Sequence, residues 1–340
     1  MNFKEYIEQY RSGIYSMICN YVQMKEPMGH YKITRDYIDR QGSYRRPGLV
    51  MLTGQLFGAK PEELMLPAAA QQLSEDWILM QDDLEDDSEL RRGKPTLHRL
   101  YGVAHTIDAS DTGHMAMWKM LKDYMQKVDI NKGSRVFDKF YDMLVYTVEG
   151  QYIENTFIHD VKDISKADEN FYFRIADSKT CYYTVYGPMQ IGALAAGADP
   201  KVQSALKEIG QPAGVAFQIT DDILDLIADE KVFGKRNFGD LYEGKITLMV
   251  LHAYKNANST ERAMLDSIYK KRRQEKSREE IDFVYEMIKK YDGIGYAKGI
   301  ADKYGEQAKA NVEKYSDLLP DNEYKDIILS AMQELYVRKK

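Results

Sequence analysis

Gln81-Asp82-Asp83-Leu84-Glu85-Asp86-Asp87-Ser88-Glu89-Leu90-Arg91-Arg92-Gly93-Lys94-Pro95 places six acids in the eight positions from Asp82 to Glu89, followed by two arginines and a Gly-Lys-Pro stop. The apolar run before it, Trp77-Ile78-Leu79-Met80, reads as the end of a helix. If the helix continues, Asp82 and Asp86 lie one turn apart on one face. Carboxylates stacked that way repel unless a cation lies between them. Oxygen ligands with room for water suit Mg²⁺ and a phosphorylated ligand. Taken alone, an acidic cluster is more often a solvated helix end.

A second stretch changes the balance. Phe217-Gln218-Ile219-Thr220-Asp221-Asp222-Ile223-Leu224-Asp225 repeats the Asp-Asp-x-x-Asp spacing after another helical apolar run. Gly234-Lys235, Gly239-Asp240-Leu241 and Gly244-Lys245-Ile246-Thr247 follow it. Two helix-borne acid pairs facing each other across a cavity would clamp a highly anionic group through metal ions. The cations just past each motif, Arg91, Arg92, Lys235 and Lys245, would take the remaining phosphate charge.

In these residues the chain resembles the trans-isoprenyl diphosphate synthases, all-helical enzymes that make geranyl, farnesyl and longer prenyl diphosphates. The first stretch matches their D-D-x-x-D-x-S-x-x-R-R-G-x-P motif, with His98 beyond it. The second matches G-x-x-F-Q-x-x-D-D-x-L-D and the G-K and G-K-x-T that follow. Weaker matches run from Gly42 to Arg338. The resemblance implies an all-α fold, an isoprenoid synthase-type helical bundle around a deep central cavity, with residues 1–340 as a single domain. It also implies a homodimer and about three Mg²⁺ ions held by Asp82, Asp86, Asp221 and Asp225. The implied reaction ionises an allylic diphosphate and couples it to isopentenyl diphosphate, giving a C10–C20 prenyl diphosphate. Arg91, Lys179, Lys235 and Lys245 would hold the allylic diphosphate. Lys179, Thr180 and Gln218 join Asp82 and Asp221 as catalytic residues, with Thr180 and Gln218 near the new carbocation.

Composition agrees with a helical, soluble reading. Nine prolines in 340 residues and a steady apolar rhythm every three to four residues argue for helices throughout, with no strand-like alternation of useful length. A net charge of −6 offers no electrostatic reason to expect nucleic acid. Two cysteines, Cys19 and Cys181, point to a reducing compartment. The start of the chain lacks a signal peptide's basic and apolar regions, and the longest apolar run, Met189 to Ala198, is too short to span a bilayer. A cytoplasmic enzyme is expected.

The departures from the family concern the acceptor. Gly42-Ser43-Tyr44-Arg45-Arg46-Pro47 opens a helix with two arginines, which the dipole disfavours unless they face an anion. The family carries G-K-x-x-R here and uses the lysine and arginine on the acceptor diphosphate. Arg46 matches, but Ser43 replaces the lysine. Seven residues before Asp82, where the family has His or Gln, stands Glu75. An ionised Glu there repels a diphosphate and has no proton to donate, unless it points into solvent. Arg46, Arg92 and Arg45 are left to hold the acceptor. Three readings follow: an ordinary chain-elongating synthase, the same ionisation with a changed acceptor or cyclisation, and a non-catalytic subunit, which complete metal motifs disfavour.

Other positions carry weaker signals. Trp77 and Ile78, five and four residues before Asp82, sit where a growing chain would point and would form a floor; Trp77 is equally readable as core. His30 reads as a loop residue, and His105 and His114 as structural. Gly187, Gly192 and Gly197 read as close-packing positions. Glu154, in Gly150-Gln151-Tyr152-Ile153-Glu154, would line the cavity or support a cation. Lys270 to Glu280 reads as a solvated turn, and Arg338-Lys339-Lys340 as a tail. Whether Asp83, Asp87 and Asp222 ligate metal or orient neighbours stays open. If Ser43 and Glu75 degrade the acceptor site, a Ser43→Lys, Glu75→His double variant raises turnover with isopentenyl diphosphate; steady-state kinetics check this.

Overall fold

Every residue of the fourth helix from Leu66 to Trp77 is buried, the polar Gln71, Gln72, Ser74, Glu75 and Asp76 included, which marks it as central, because a helix without a solvent face is packed on all sides. In a computed structural model the protein's described residues are 1–227 and 238–336. Lys235 and the tail from Arg338 to Lys340 lie outside them. The helices are α1 (Phe3–Tyr21), α2 (Met28–Asp39), α3 (Arg45–Leu56), α4 (Pro61–Glu85), α5 (Leu97–Tyr101), α6 (Val103–Lys127), α7 (Ile130–Thr156), α8 (Glu169–Ile175), α9 (Gly187–Ala195) and α10 (Pro200–Ile227). After the undescribed segment come α11 (Gly239–Glu243), α12 (Leu248–Asn256), α13 (Ser259–Tyr269), α14 (Arg278–Lys290), α15 (Gly293–Lys314) and α16 (Glu323–Tyr336). The expected all-α bundle is the observed fold. His30 belongs to α2 rather than a loop, and its Nε2 lies 2.7 Å from Thr112 Oγ1.

Among the described residues, a small apolar cluster around Tyr37, Met80, Leu97 and Ala109 and two large ones make the core. One joins α1, α3, α4, α6, α7, α9 and α16. The other joins α8 to α11–α15. α10 belongs to both: Leu206, Ile209 and Ala213 face the first, Val215, Ile219 and Leu226 the second. Its length, 28 residues, survives an internal Pro212, which removes an N–H that would bond Glu208. The freed Glu208 carbonyl accepts instead from Asn311 Nδ2 on α15.

Between α8 and α9 the backbone widens into a π-helical stretch, Ala176–Tyr186. Pro188 lacks the N–H that would bond Thr184, and Ser178 Oγ donates back to the Arg174 and Ile175 carbonyls at 2.9 and 3.2 Å, so the ordinary ladder is weakened on both sides. Such stretches cluster at functional sites, and Lys179 and Thr180 lie within this one. Of the three glycines expected to allow close packing, Gly187 and Gly192 do so: an added Cβ would lie 2.5 Å from the Tyr182 carbonyl oxygen at the first and 2.3 Å from that of Val50 at the second. Gly197 does not. It has open space and φ +78°, ending a helix in the left-handed region.

One small sheet departs from the helical expectation. β1 (Leu90–Arg91) pairs antiparallel with β2 (Lys94–Pro95). The turn residues Arg92 and Gly93 both have positive φ, 55° and 73°, the type I′ pattern that matches strand twist.

Candidate active site

α4 runs into the first acidic motif as expected, and Asp86 N–H donates to the Asp82 carbonyl at 2.9 Å. One turn therefore separates the two side chains. The helix stops at Asp87, left-handed at φ 50°, and Ser88 N–H closes back on the Asp83 carbonyl at 2.9 Å. α10 ends just past Asp225. Both acid pairs thus sit at helix C-termini, where the dipole already presents negative charge. Asp82, Asp221 and Asp222 line one cavity of about 530 Å³. Asp86 and Asp225 meet Asp82, Asp240 and Glu243 around a smaller adjoining void of about 50 Å³.

Cations crowd these carboxylates. Lys179 donates to Glu154 Oε2 at 2.6 Å and lies 3.3 Å from Asp82 Oδ1. Burial opposes its charge, but Glu154 and Asp82 outweigh that and hold the ammonium above its ordinary range. Lys245 contacts Glu243 at 2.6 Å, Asp86 at 3.0 Å and Asp240 at 3.5 Å. Burial, with Glu243 next, pushes the Asp86 carboxyl up to about 8 against the pull of Lys245. The I′ turn sends the paired arginines apart. Arg91 holds Asp83 at 2.6 Å and Asp82 at 3.2 Å, whereas Arg92 turns to Asp76 at 3.1 Å and Glu75 at 3.7 Å.

Thr180, Gln218 and Asp222 form a relay. Thr180 Oγ1 donates to Gln218 Oε1 at 2.6 Å, Gln218 Nε2 donates to Asp222 Oδ1 at 2.7 Å, and Tyr172 OH donates to Asp222 Oδ2 at 2.7 Å. Asp222 therefore orients the Gln218 amide. Asp83 is likewise held by Arg91. Asp87 turns away to Arg99 at 2.6 Å and Gln274 at 2.8 Å. Trp77 and Ile78 line the cavity. Trp77 is 5% exposed, and its ring lies 4.5 Å from that of His114. His114 Nε2 accepts from Trp118 Nε1 at 2.8 Å, which leaves Nδ1 to carry the proton.

Arg45, Arg46, Arg92 and Ser43, the residues expected around the acceptor, all line the cavity. Glu75 does not point into solvent. It is 5% exposed, and Arg46 Nη1 lies 3.1 Å from its Oε1.

The Lys270–Glu280 run is not simply solvated. Arg273 donates to the Asp86 carbonyl at 3.2 Å and to Glu243 at 2.6 Å. Lys276 is 6% exposed and donates to the Leu241 and Tyr242 carbonyls at 2.9 and 2.8 Å, closing the end of α11. Asp240, Glu243 and Arg273 were absent from the expected site. The first two lie in the stretch that drew notice for its lysine; Arg273 has no local signal in a mixed charge run. Asp240 is placed by its own N–H, which donates to Asp225 Oδ2 at 3.1 Å.

Carboxylate oxygens are the hard donors Mg²⁺ prefers, and lysine and arginine groups already lie against Asp82 and Asp86. The donor set therefore fits a divalent cation. Among the described residues, no group of three acidic, histidine or cysteine side chains is disposed to hold a metal ion; Asp82 and Asp86 lie against lysine and arginine partners.

An all-α bundle with two acidic helix ends opening on one cavity is the layout of a helical isoprenoid synthase. The sequence model described as polyprenyl synthetase matches residues 29–288. The geranylgeranyl diphosphate synthase of Methanosarcina mazei is 29% identical, covering 100% of this chain and 99% of its own length. The geranylfarnesyl diphosphate synthase of Aeropyrum pernix is 33% identical over 79% of this chain and 82% of its own length. The crystal structure of geranylgeranyl pyrophosphate synthetase from Pyrococcus horikoshii superposes with a TM-score of 0.86 at 27% identity, covering 99% of this chain and 98% of that one. This chain belongs to the polyprenyl synthetase family, and it is a prenyltransferase.

Lys276 supplies a test of the architecture that brings Arg273 to the site. Burial pulls its ammonium from 10.5 down to about 8, with Glu243 only partly opposing. A folded value below the unfolded one means that the charged form is disfavoured in the fold, so this contribution to stability rises as pH climbs from about 8 to 10.5. The stability of the wild type relative to Lys276→Met grows by about 2 kcal/mol between pH 8 and pH 10, as read by denaturant unfolding at both pH values.

Proposed function

We propose that this enzyme joins an allylic diphosphate to isopentenyl diphosphate and releases a short prenyl diphosphate of C10–C20. The observation that carries this reading is the pair of acidic helix ends opening onto one cavity that Trp77 and Ile78 help to wall. Asp82, Asp86, Asp221 and Asp225 would hold Mg²⁺, three ions by family resemblance. Bound Mg²⁺ neutralises the diphosphate and eases departure of the leaving group.

The chain's own residues do the rest. Arg91, Lys179 and Lys245 meet the charge that grows on the departing diphosphate; Lys235 shares that expected role but lies outside the described residues. Arg46, Arg92 and Arg45 receive the acceptor diphosphate. The Thr180 hydroxyl and the Gln218 amide, fixed by Asp222 and Tyr172, put oriented dipoles beside the allylic cation. The cavity excludes the water that would quench it. The acceptor double bond attacks, the new C–C bond forms, and a proton leaves to the released diphosphate.

The chain acts as a homodimer in the cytoplasm. Tyr141, Val145, Val148 and Tyr152 form an exposed stripe at four- and three-residue spacing along α7, with Tyr152 71% exposed, an apolar face suited to a second copy. No helix of the described residues is long and apolar enough to cross a membrane.

The test is a product assay with Mg²⁺ and dimethylallyl, geranyl or farnesyl diphosphate, each with and without isopentenyl diphosphate, read by mass spectrometry. Products longer by C5 units, formed only with isopentenyl diphosphate, are expected. Diphosphate release independent of it would establish a changed acceptor. Trp77→Ala opens the floor and extends the longest product by at least one C5 unit; an unchanged product distribution would remove Trp77 from that role.

A further inference from the structure

Arg46 and Arg92 approach one carboxylate from two sides. Glu75 Oε1 lies 3.1 Å from Arg46 Nη1 and 3.7 Å from Arg92 Nη2. Both guanidinium groups stand on aromatic faces, Arg46 over Tyr183 at 4.8 Å and Arg92 over Tyr37 at 5.1 Å. Arg46 is tied further by Nη2, which donates to Thr184 at 2.9 Å. The cradle is therefore built and rigid. Gly42 forms its edge: a Cβ there would come within 2.7 Å of Arg92 Nη2 and 3.4 Å of Glu75 Oε1. Arg46 Nε and Arg92 Nη1 are buried without a hydrogen-bond partner, so donor capacity for an anionic ligand remains at the junction, whereas the equally unpartnered Glu75 Oε2 is an acceptor that repels one.

Carboxylate and phosphate oxygens make the same demand on a guanidinium, an anionic acceptor for its N–H groups. We propose that Glu75 is a specificity-determining residue: it occupies the acceptor's diphosphate position on Arg46 and Arg92, and every acceptor must displace it. This rests on the prenyl-transfer reading above. Binding an acceptor breaks the Arg46–Glu75 pair and leaves a buried carboxylate beside a diphosphate. The hold on the acceptor is weakened, while the allylic diphosphate, gripped around Asp82 and Lys179, is unaffected by this carboxylate. Glu75 therefore sets the ratio of acceptor KM to allylic KM. Ser43, exposed at the rim, supplies no cation to offset it.

The test is Glu75→Gln, which keeps the shape and removes the charge. The acceptor KM falls about tenfold or more, in keeping with the strength of charge-assisted hydrogen bonds, and the ratio of acceptor KM to allylic KM falls with it. An acceptor KM that is unchanged or higher overturns the proposal, because Glu75 then only positions the arginines. If the wild type extends no allylic diphosphate, the functional reading fails on its own. Calorimetric binding of isopentenyl diphosphate to wild type and Glu75→Gln still decides the role of Glu75: tighter binding in the variant supports it, equal or weaker binding overturns it. Should the variant not fold, a crystal structure of the wild type with isopentenyl diphosphate decides. A parted Arg46–Glu75 pair is expected, and an intact pair with the diphosphate elsewhere sinks the idea.

Discussion

Like charges held together at two helix C-termini are the constraint on which the rest of this structure depends. Asp82 and Asp86 end α4, and Asp221 and Asp225 end α10, where the backbone carbonyls already point outward. Nothing about helix stability favours that placement. At the end of α4 it persists because cations converge from four separate parts of the chain: Arg91 from the hairpin, Lys179 from the π-helical stretch, Lys245 after α11 and Arg273 before α14. The bundle can be viewed as the scaffold that delivers those cations.

Two local irregularities serve the same end. The type I′ turn at Arg92-Gly93 separates neighbouring arginines, so one answers the acidic motif and the other Asp76 and Glu75. The widened stretch from Ala176 to Tyr186 holds Lys179 toward Asp82 while Thr180 reaches Gln218 on α10. Each places a charged or hydroxyl group that an ordinary helix or strand would aim elsewhere. The same geometry explains the fate of Glu75. A carboxylate on α4 between two guanidinium groups has its charge countered through Oε1 without any ligand, and the site presents an anion where a substrate anion is expected.

Much of the site was legible beforehand. The repeated Asp-Asp-x-x-Asp spacing, the arginine pair and Lys179-Thr180 are contiguous patterns, and their chemistry can be read from residue type and helical period. Glu75 stood out as the wrong charge for its position. Arg273 and Lys276 were not legible, because a mixed charge run carries no sign of which members are buried. Asp240 and Glu243 passed because single acids between glycines repeat no spacing that marks a site. Gly197 was misread because close packing and a left-handed helix end ask for the same residue.

The sequence by itself determined the helical class, the two acidic helix ends and the residues able to carry an anion, since periodicity and spacing act over a few residues. Only the tertiary structure decided which partner each charge chose. It put Glu75 between Arg46 and Arg92 rather than in solvent, sent Asp87 away from the site, gave Asp222 to Gln218 and brought Arg273 to Asp86. The physical reason is that a charge selects its partner by burial and distance across the fold, and residues as far apart in the chain as Asp86 and Lys245 meet at 3.0 Å only after the helices have packed.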